Sequence, residues 1–431
     1  MRDLMVLGAM FFLVPLSLRN VTVAYLLWGW TSLIALPKFV YGFMASVPFV
    51  QLFAIITLVL ILRGKNINVK KFTPNGNVIL LTIFAVHGLL SATFAFAGLP
   101  VNWEVYTTLV KVLLFCVFMH MFLVSRLRIH IFLILVTTAI GFYSVTEGLK
   151  FLSSGGAHNV QGAGNFGDNN HTALAFVMAL PLLWYLFQYS KGKLARIGFA
   201  SAFLLTCLAV MATNSRGGFL AMASVAIWII ARSRRKFVGT LLVIAAATVV
   251  LQLAPTKWFN RMDTISTAAD MDTSFQGRLV AWKRASAIAL DNPIFGGGFR
   301  SVQAPVVFEK YRDKQGFLGF IETLVPTYPA AAHSIYFESL SDIGFLGFSI
   351  FITILFSAFY NRRRILQLTK SGGKELVWVS DLADSISGSI FAYLIGGAAV
   401  SMAYFEFTYV LVTLMAVLHL YAANAVVNKV D

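Results

Sequence analysis

The chain has 431 residues, of which 58% are hydrophobic and only 12% are charged. Soluble domains carry roughly 25% charged residues, so the composition excludes a soluble globular protein and predicts an all-α polytopic membrane protein. The net charge is +16, but it lies in short clusters between apolar runs and not along one basic face, which argues against a nucleic-acid partner. Cys116 and Cys207 lie inside apolar runs, so no disulfide framework is predicted.

Five basic clusters divide the chain into membrane-spanning intervals. The positive-inside rule places such clusters on the cytoplasmic side, so each interval between two clusters must hold an even number of crossings. The clusters are Arg63 to Lys71, Arg126 to His130, Lys191 to Arg196, Arg232 to Lys236 and Arg362 to Lys374. The N-terminal run from Leu4 to Leu18 lacks a convincing small-residue cleavage site, so we expect a retained first helix there and not a signal peptide.

Apolar runs of roughly 20 residues supply the crossings. Beyond Arg63 they predict spans at 78–97, 104–124, 131–150, 170–189, two within 197–231, 237–253, 333–360, 386–403 and 405–424. Parity allows two further crossings in residues 4–62. The sequence therefore predicts about twelve transmembrane helices, with both termini cytoplasmic. Residues 1–253 form a helix bundle of about ten spans, 254–332 an external loop domain, and 333–431 the C-terminal transmembrane helices.

The external segment 254–332 is the only region long enough to fold outside the bilayer. Gln276 to Leu290 have the pattern of an amphipathic helix, which Asp291-Asn292-Pro293 and the glycines at 296–298 end. Arg278 lies in the first turn of this helix. An arginine beside a membrane is commonly an interfacial anchor, and that role stays open for Arg278 at this point.

A second external arginine lies in a tight turn between two short spans. The turn is Asn214-Ser215-Arg216-Gly217-Gly218. Its glycines let backbone N–H groups approach a ligand, and a helix that begins at Gly217 points its positive end at the same place. Arginine beside such a site is suited to phosphate, which it binds through two parallel hydrogen bonds. The alternative is a re-entrant turn in which Arg216 reaches the lipid headgroups.

A lone histidine, His333, opens the apolar run that continues to Phe359. On one continuous helix, Gly344 and Gly347 would fall within roughly 40° of His333, with Tyr336 on the same face and Glu338 and Asp342 pointing away. That face would carry an imidazole at its mouth and glycines deeper in, where another helix can approach closely. The alternative is a histidine that caps a membrane helix at the interface.

Several kinds of catalytic group are missing outside the cytoplasmic clusters. We find no HExxH motif and no Cys–His cluster there, and we expect no close pair of intramembrane carboxylates. These absences argue against metal-assisted catalysis and against a two-carboxylate glycosidase. External arginines and a histidine suit transfer of a group from a lipid-linked diphosphate. The arginines would stabilise the charge left on the diphosphate, and a neutral imidazole would accept the proton of an attacking hydroxyl.

Three blocks of the sequence resemble the O-antigen ligase family. His333-Ser334, nine residues, and Gly344-Phe345-Leu346-Gly347 are similar to its histidine signature, and residues 214–218 to its arginine turn. The stretches 277–282 and 292–299 resemble its external-loop block. All three blocks occur in the expected order.

The resemblance implies a metal-independent, inverting glycosyltransferase of the Gram-negative inner membrane that needs no cofactor. It would move a glycan from undecaprenyl diphosphate to the lipid A–core oligosaccharide on the periplasmic face, with membrane lipids around it. His333 would be the base, and Arg216 and Arg278 would hold the diphosphate. Five further candidates for substrate contact are Asn214, Ser215, Tyr336, Arg300 and Arg312.

The acceptor stays open, because O-antigen polymerases and protein O-oligosaccharyltransferases share this scaffold and donor. Residues 258–262 and 332–338 also resemble ligases that act on other acceptors. A different class, a lipid-linked glycan transporter, predicts mid-membrane charges along a path to the cytoplasm. The residues that such a path would use are Lys111, Glu147, His171 and Glu406.

Overall fold

The computed structural model describes residues 1–64, 74–232, 236–253, 273–323 and 327–427, and this part of the chain is built from helices. Short 3₁₀ turns connect several of them. The α-helices, numbered here in chain order, are α1 (Arg2–Arg19), α2 (Val21–Ile34), α3 (Leu36–Phe39), α4 (Phe49–Arg63), α5 (Gly76–Thr93), α6 (Asn102–Phe122), α7 (Arg126–Ser153), α8 (Asn169–Tyr189), α9 (Lys193–Ala212), α10 (Arg216–Arg232), α11 (Lys236–Leu253), α12 (Thr273–Asp291), α13 (Pro305–Tyr311), α14 (Ile335–Gly372), α15 (Val377–Gly396) and α16 (Glu406–Val427).

Eight helices in the described ranges are long and apolar enough to cross a membrane, and two shorter apolar helices, α2 and α4, accompany them. The all-α polytopic architecture agrees with the sequence analysis, whereas the count of about twelve crossings stays a prediction. The predicted helical hairpins around Gly98 and around the loop 153–170 are present as α5–α6 and α7–α8. The break within 197–231 is also confirmed, because α9 ends at Ala212 and α10 begins at Arg216.

The C-terminal helices differ from the prediction in their bounds. Helix α14 runs to Gly372 instead of ending near residue 360, and α15 begins at Val377, nine residues before the predicted start at 386. The basic cluster in this region is therefore partly helical. The predicted helix at 276–290 is confirmed and extended to Thr273–Asp291. The stretch 258–262 lies outside the described residues.

Helix α8 is the centre of the bundle. Every residue from Thr172 to Leu186 is buried, as expected of a helix surrounded on all sides by others. Asp168 caps its first turn, because the Asp168 side chain accepts a hydrogen bond from the backbone N–H of His171 at 2.8 Å. Residues near the start of α8 are thereby fixed relative to the bundle core.

The basic clusters converge at the end of the bundle where α8 stops. Arg126 lies over the ring of Trp378 at 5.1 Å, and Arg362 pairs with Asp384 at 2.5 Å. Arg232 lies over the ring of Trp228, whose indole N–H donates to the Asp384 carbonyl. This common location fits the expectation that these clusters lie on one side of a membrane.

The opposite end, called here the site end, is where α6, α8, α10, α14 and α16 begin. At this end α14 is interrupted at Gly344, which has φ 68° and ψ −178°. The interruption frees three helix carbonyls, and each one accepts a hydrogen bond from another part of the chain. Gly297 N–H donates to Ser341 at 2.8 Å, Gly298 N–H to Asp342 at 3.0 Å, and the His87 ring to Ile343 at 2.9 Å.

Hydrogen bonds also run in the other direction, from α14 to the glycine loop. The backbone N–H groups of Phe345 and Leu346, which an intact helix would bond to residues 341 and 342, donate to the Pro293 carbonyl at 2.8 and 3.4 Å. A Cβ at Gly344 would lie 2.7 Å from that carbonyl oxygen, and one at Gly296 would lie 2.6 Å from the Asp342 backbone. Gly296 and Gly344 are therefore needed because two backbones meet there without side chains between them.

The kink also corrects the predicted helix face. His333 precedes α14 and has φ 45°, so it does not share a continuous helical stripe with Gly344 and Gly347. Gly347 packs against the His87 ring, and Gly344 packs against the loop. Periodicity failed here because it assumes unbroken helical geometry across residues 333–347.

Replacing Gly344 by alanine should destabilise the protein strongly. The new Cβ would be strained at positive φ and would clash with the Pro293 carbonyl, at a cost of about 3 kcal/mol or more. The measurement is the melting temperature of the purified protein in detergent. Gly141→Ala is the control, because a Cβ at Gly141 meets nothing within 4 Å. Equal melting temperatures for the two variants would contradict the backbone contact described above.

Candidate functional site

The segment 397–403, which follows α15, connects the parts of the site. A Cβ at Gly397 would lie 2.6 Å from the side chain of Ile335, at the start of α14. A Cβ at Gly217, in the arginine turn, would lie 3.2 Å from Ala399. The hydroxyl of Ser401 accepts a hydrogen bond from the backbone N–H of His333 at 2.8 Å. One short segment thus brings the arginine turn and the histidine to the same end of the bundle.

His333 is half-buried and held in an unusual backbone conformation. Its φ of 45° is in the left-handed region, which costs energy for a residue other than glycine. The bond to Ser401 helps to hold it there. Within the described part of the chain, Nδ1 of His333 is buried and has no hydrogen-bond partner. Burial lowers the pKa of His333, and the nearby charge of Arg278 lowers it further. The ring is therefore neutral near pH 7 and able to accept a proton.

Helix α12 carries Arg278 and docks beside His333. The indole N–H of Trp282 donates to the Ala332 carbonyl at 2.7 Å, and the Trp282 ring stacks on Phe337 at 4.9 Å. The guanidinium of Arg284 is buried and donates to the Ala330 carbonyl at 3.1 Å. These contacts fix α12 against the residues on both sides of His333. They explain why the Arg278 charge acts on the histidine.

The arginine turn is a well-formed helix cap. Asn214 has φ 51°, and the hydroxyl of Ser215 accepts a hydrogen bond from Gly218 N–H at 3.0 Å. Ser215 also donates to the Asn170 side chain at 2.8 Å. Arg216 is the first residue of α10, one residue earlier than predicted, and it lies where the helix dipole is positive. The contact through Asn170 connects the turn to the start of α8.

Asp168 and His171 form a charged pair at the start of α8, which the sequence analysis did not identify as part of the site. Nδ1 of His171 lies 2.6 Å from Oδ2 of Asp168, and Nε2 donates to the Ser401 carbonyl at 2.9 Å. Burial acts to raise the pKa of Asp168, but the hydrogen bonds and charge of His171 outweigh it and bring that pKa to about 2.

The two contacts fix the charge of His171. A carbonyl oxygen only accepts, so Nε2 must carry a hydrogen, and Nδ1 faces an ionised carboxylate. His171 is therefore a protonated imidazolium paired with Asp168. The available sequence signal was the spacing Asp168-Asn169-Asn170-His171, in which a helix-capping aspartate precedes a histidine by three residues.

Two carboxylates on α14 are buried, which corrects the expectation that no such pair exists. Glu338 and Asp342 are 2% and 0% exposed and lie one helical turn apart. Glu338 pairs with Arg300 at 3.1 Å and accepts a hydrogen bond from Ala403 N–H at 2.8 Å. The charge of Glu338 raises the pKa of Arg300. Sequence pattern could not reveal this pair, because Arg300 arrives from the loop 292–304.

A cavity of about 640 Å³ is lined in part by Ser401 and Met402 of the 397–403 segment. We call it the α6 cavity, because one wall is the first three turns of α6. Its polar lining is Ser32, Glu104, Thr108, Asn165, Asp168, His171, Arg300, Ser401, Tyr404 and Glu406, and its apolar lining includes Leu33, Val50, Val105, Leu109, Val112, Phe166, Met402 and Phe405.

The other residues predicted to contact substrate lie in different parts of the structure. The hydroxyl of Tyr336 donates to the Leu394 carbonyl at 2.7 Å, which is a helix-packing contact. The amide of Asn214 donates to Asn159 at 3.2 Å. Arg312 is exposed on the loop, with its guanidinium over Phe308 at 5.9 Å. Arg300 lines the α6 cavity, so of these residues it is the one placed to meet a ligand there.

The four charges that a transport path would use are mostly at helix ends. Glu147 lies near the end of α7 and contacts Lys150 and His158 at 2.7 and 2.6 Å. His171 is in the first turn of α8, and Glu406 is the first residue of α16. Lys111 alone among the four lies mid-helix. These residues do not trace a path through the bundle.

Fold and site define a polytopic helical membrane protein with a loop domain docked over a histidine- and arginine-containing end. Residues 201–352, which include Arg216, Arg278 and His333, match the family model described as O-Antigen ligase, and this match supports membership of the O-antigen ligase/polymerase superfamily. Members of this superfamily are glycosyltransferase-like enzymes. Residues 1–191 match a family of unknown function (DUF5935). Comparison with curated proteins finds no match.

Proposed function

We propose that this protein is an inverting, metal-independent glycosyltransferase that ligates a glycan from undecaprenyl diphosphate onto lipid A–core oligosaccharide. It would act at the periplasmic face of the inner membrane, with both termini in the cytoplasm. The observation that carries the proposal is the placement of His333, Arg278 and the Arg216 turn around the segment 397–403 at one end of the bundle. Displacement of a diphosphate requires a neutral base and positive charge near the leaving group, and Arg278 and the Arg216 turn would supply that charge.

The reaction is a single displacement at the anomeric carbon of the donor glycan. The acceptor hydroxyl oxygen forms a bond to that carbon while the bond from the carbon to the diphosphate oxygen breaks. The electron pair leaves with the diphosphate, whose growing charge Arg216 and Arg278 stabilise. The hydroxyl proton passes to the imidazole of His333. Attack opposite the leaving group inverts the anomeric configuration.

The acceptor separates the proposed ligase from related activities. A growing glycan as acceptor would make the protein a polymerase, and a protein hydroxyl would make it a protein O-oligosaccharyltransferase. All three use the same donor and the same base. Purified protein incubated with an undecaprenyl-diphosphate glycan and each acceptor in turn will show which acceptor gains the glycan.

Transfer should continue in excess EDTA. The proposed mechanism uses arginines where many glycosyltransferases use a divalent cation. In the described ranges, no three His, Cys, Asp or Glu side chains lie close enough together to hold a metal ion. The measurement is the transfer rate of purified protein before and after chelation. Loss of activity in EDTA with recovery on adding Mg²⁺ or Mn²⁺ would refute this mechanism.

Arg216→Ala and Arg278→Ala should each lose transfer activity, and replacing either arginine by lysine should not restore it. Lysine keeps the charge but not the two parallel hydrogen bonds to a phosphate. Loss of one charge-stabilising donor costs on the order of 3 kcal/mol, which is roughly a hundredfold in rate. Arg196→Ala is the matched control, because Arg196 is exposed near the start of α9 at the end of the bundle opposite the site, and this variant should transfer at the wild-type rate. If both Arg→Ala variants match the control at equal expression, the arginines are interfacial anchors.

His333→Ala should keep the fold and donor binding but lose about a hundredfold in transfer rate or more. In the wild type, the rate should fall as pH drops through the pKa of His333, because the protonated ring cannot act as a base. Burial and Arg278 place that pKa below the usual 6.5, so the acid limb should lie below pH 6.5. Rate–pH profiles of both proteins provide the test. An unchanged profile with retained activity in the variant would exclude His333 as the base.

A further inference from the structure

The α6 cavity is lined in part by Ser401, which holds the backbone of His333, and we propose that it binds a neutral sugar ring next to the reacting centre. The inference rests on the proposed function and adds a binding site to it. The sugar is either the acceptor or the first sugar of the donor glycan, because both present the same hydroxyl groups. Four observations support the site: its size, its charge, its aromatic walls and its connection to His333.

The size and depth of the cavity suit a small ligand. Its volume of about 640 Å³ is in the range of small-molecule sites, which is ≈ 300–1,000 Å³. The lining follows α6 from Glu104 to Val112, which is a depth of about 12 Å at 1.5 Å per residue. Because α6 begins at the site end, the cavity opens at the same end of the bundle as His333.

The polar lining suits hydroxyl groups better than a diphosphate. The two cations of the cavity already have carboxylate partners, since Arg300 pairs with Glu338 and His171 with Asp168. Glu104 adds an exposed carboxyl group that has no cation partner within the described residues, and Glu406 adds a buried one that accepts a hydrogen bond from Ser32 at 2.6 Å. A diphosphate would therefore find no unpaired cation in the described lining, whereas sugar hydroxyls can donate hydrogen bonds to carboxyl oxygens.

Glu104 is the clearest of these acceptors. It is exposed, and within the described part of the chain its carboxylate makes no hydrogen bond. Thr108 lies one turn further along the same wall. The hydroxyl of Thr108 is exposed in the cavity and is available to donate or accept a hydrogen bond. The two side chains therefore offer a donor and an acceptor one helical turn apart.

Aromatic side chains complete the walls of the cavity. Phe166 and Phe405 both line it, and their rings meet edge to face at 5.6 Å. A sugar ring has apolar C–H faces as well as hydroxyl edges. Aromatic faces beside carboxylates match both parts of such a ligand, whereas a purely apolar tail would leave the carboxyl groups desolvated without hydrogen bonds.

The cavity is connected to His333 through Ser401. Ser401 lines the cavity, its carbonyl accepts from His171, and its hydroxyl accepts from the backbone N–H of His333. A sugar held in the cavity is thus next to the segment that holds the base.

The test uses the full-length protein in detergent and the variants Glu104→Leu and Phe166→Ala. Binding is measured by saturation-transfer NMR with a core oligosaccharide released from lipid A, which requires no transfer activity. Kinetics are measured in parallel with the complete acceptor and an undecaprenyl-diphosphate glycan. Glu309→Leu is the matched control, because Glu309 is an exposed carboxylate on the loop. Thr108→Val is a milder variant should Phe166→Ala lower the melting temperature.

We expect the cavity variants, but not Glu309→Leu, to raise KM for one substrate by about tenfold or more, the effect of one lost hydrogen bond to a charged group. A higher acceptor KM with weaker oligosaccharide binding identifies the acceptor as the sugar. A higher donor KM identifies the donor glycan instead. Unchanged oligosaccharide binding together with unchanged KM values for both substrates would overturn the inference.

The outcome is separable from that of the proposed function. If Arg216→Ala and His333→Ala transfer at the wild-type rate while the cavity variants lose oligosaccharide binding, the mechanism fails and the sugar site stands. If the arginine and histidine variants lose transfer while the cavity variants behave as the control in both assays, the mechanism stands and the sugar site fails.

Discussion

The site depends on the direct contact between the backbone at Gly296–Gly298 and the interrupted helix at Gly344. Breaking a helix inside an apolar bundle leaves carbonyl and N–H groups that must find other partners. Here the loop supplies them, with Gly297 and Gly298 as donors and Pro293 as acceptor. The same hydrogen bonds that repair the helix therefore anchor the loop domain over the start of α14. Because Arg300 lies two residues after Gly298, the contact also brings that arginine to Glu338.

The charged groups of the site are nearly all compensated. Burial and the charge of Arg278 keep the pKa of His333 low, so the ring stays neutral. Arg300 and His171 are each paired with a carboxylate, and further carboxyl groups line the α6 cavity. Buried charges are costly unless they are paired and hydrogen-bonded, and Glu338 meets this condition through Arg300 and Ala403 N–H. The segment 397–403 contacts the arginine turn, His333 and the cavity.

The proposed function would make two demands on this site. Displacement of a diphosphate would need positive charge near the leaving group, whereas recognition of sugar hydroxyls would need hydrogen-bond acceptors. The described residues include arginines and a cavity lined with carboxyl groups, so both kinds of group are available. Asn214, Arg300 and His333 adopt left-handed conformations, as strained residues often do at functional sites.

Sequence alone determined the class of the protein, the breaks between helices and the residues that carry the family resemblance. Apolar runs, the turn at Asn214–Gly218 and the helix that ends at Asp291 follow from local rules of hydrophobicity and capping, which depend on neighbours along the chain. Three features came only from tertiary structure: the kink at Gly344, the ion pair of Arg300 with Glu338, and the contact of His171 with Ser401. Each joins segments far apart in sequence, so no local pattern encodes it. Buried polar groups take whatever partners the packing brings to them, and the packing is decided by the whole bundle.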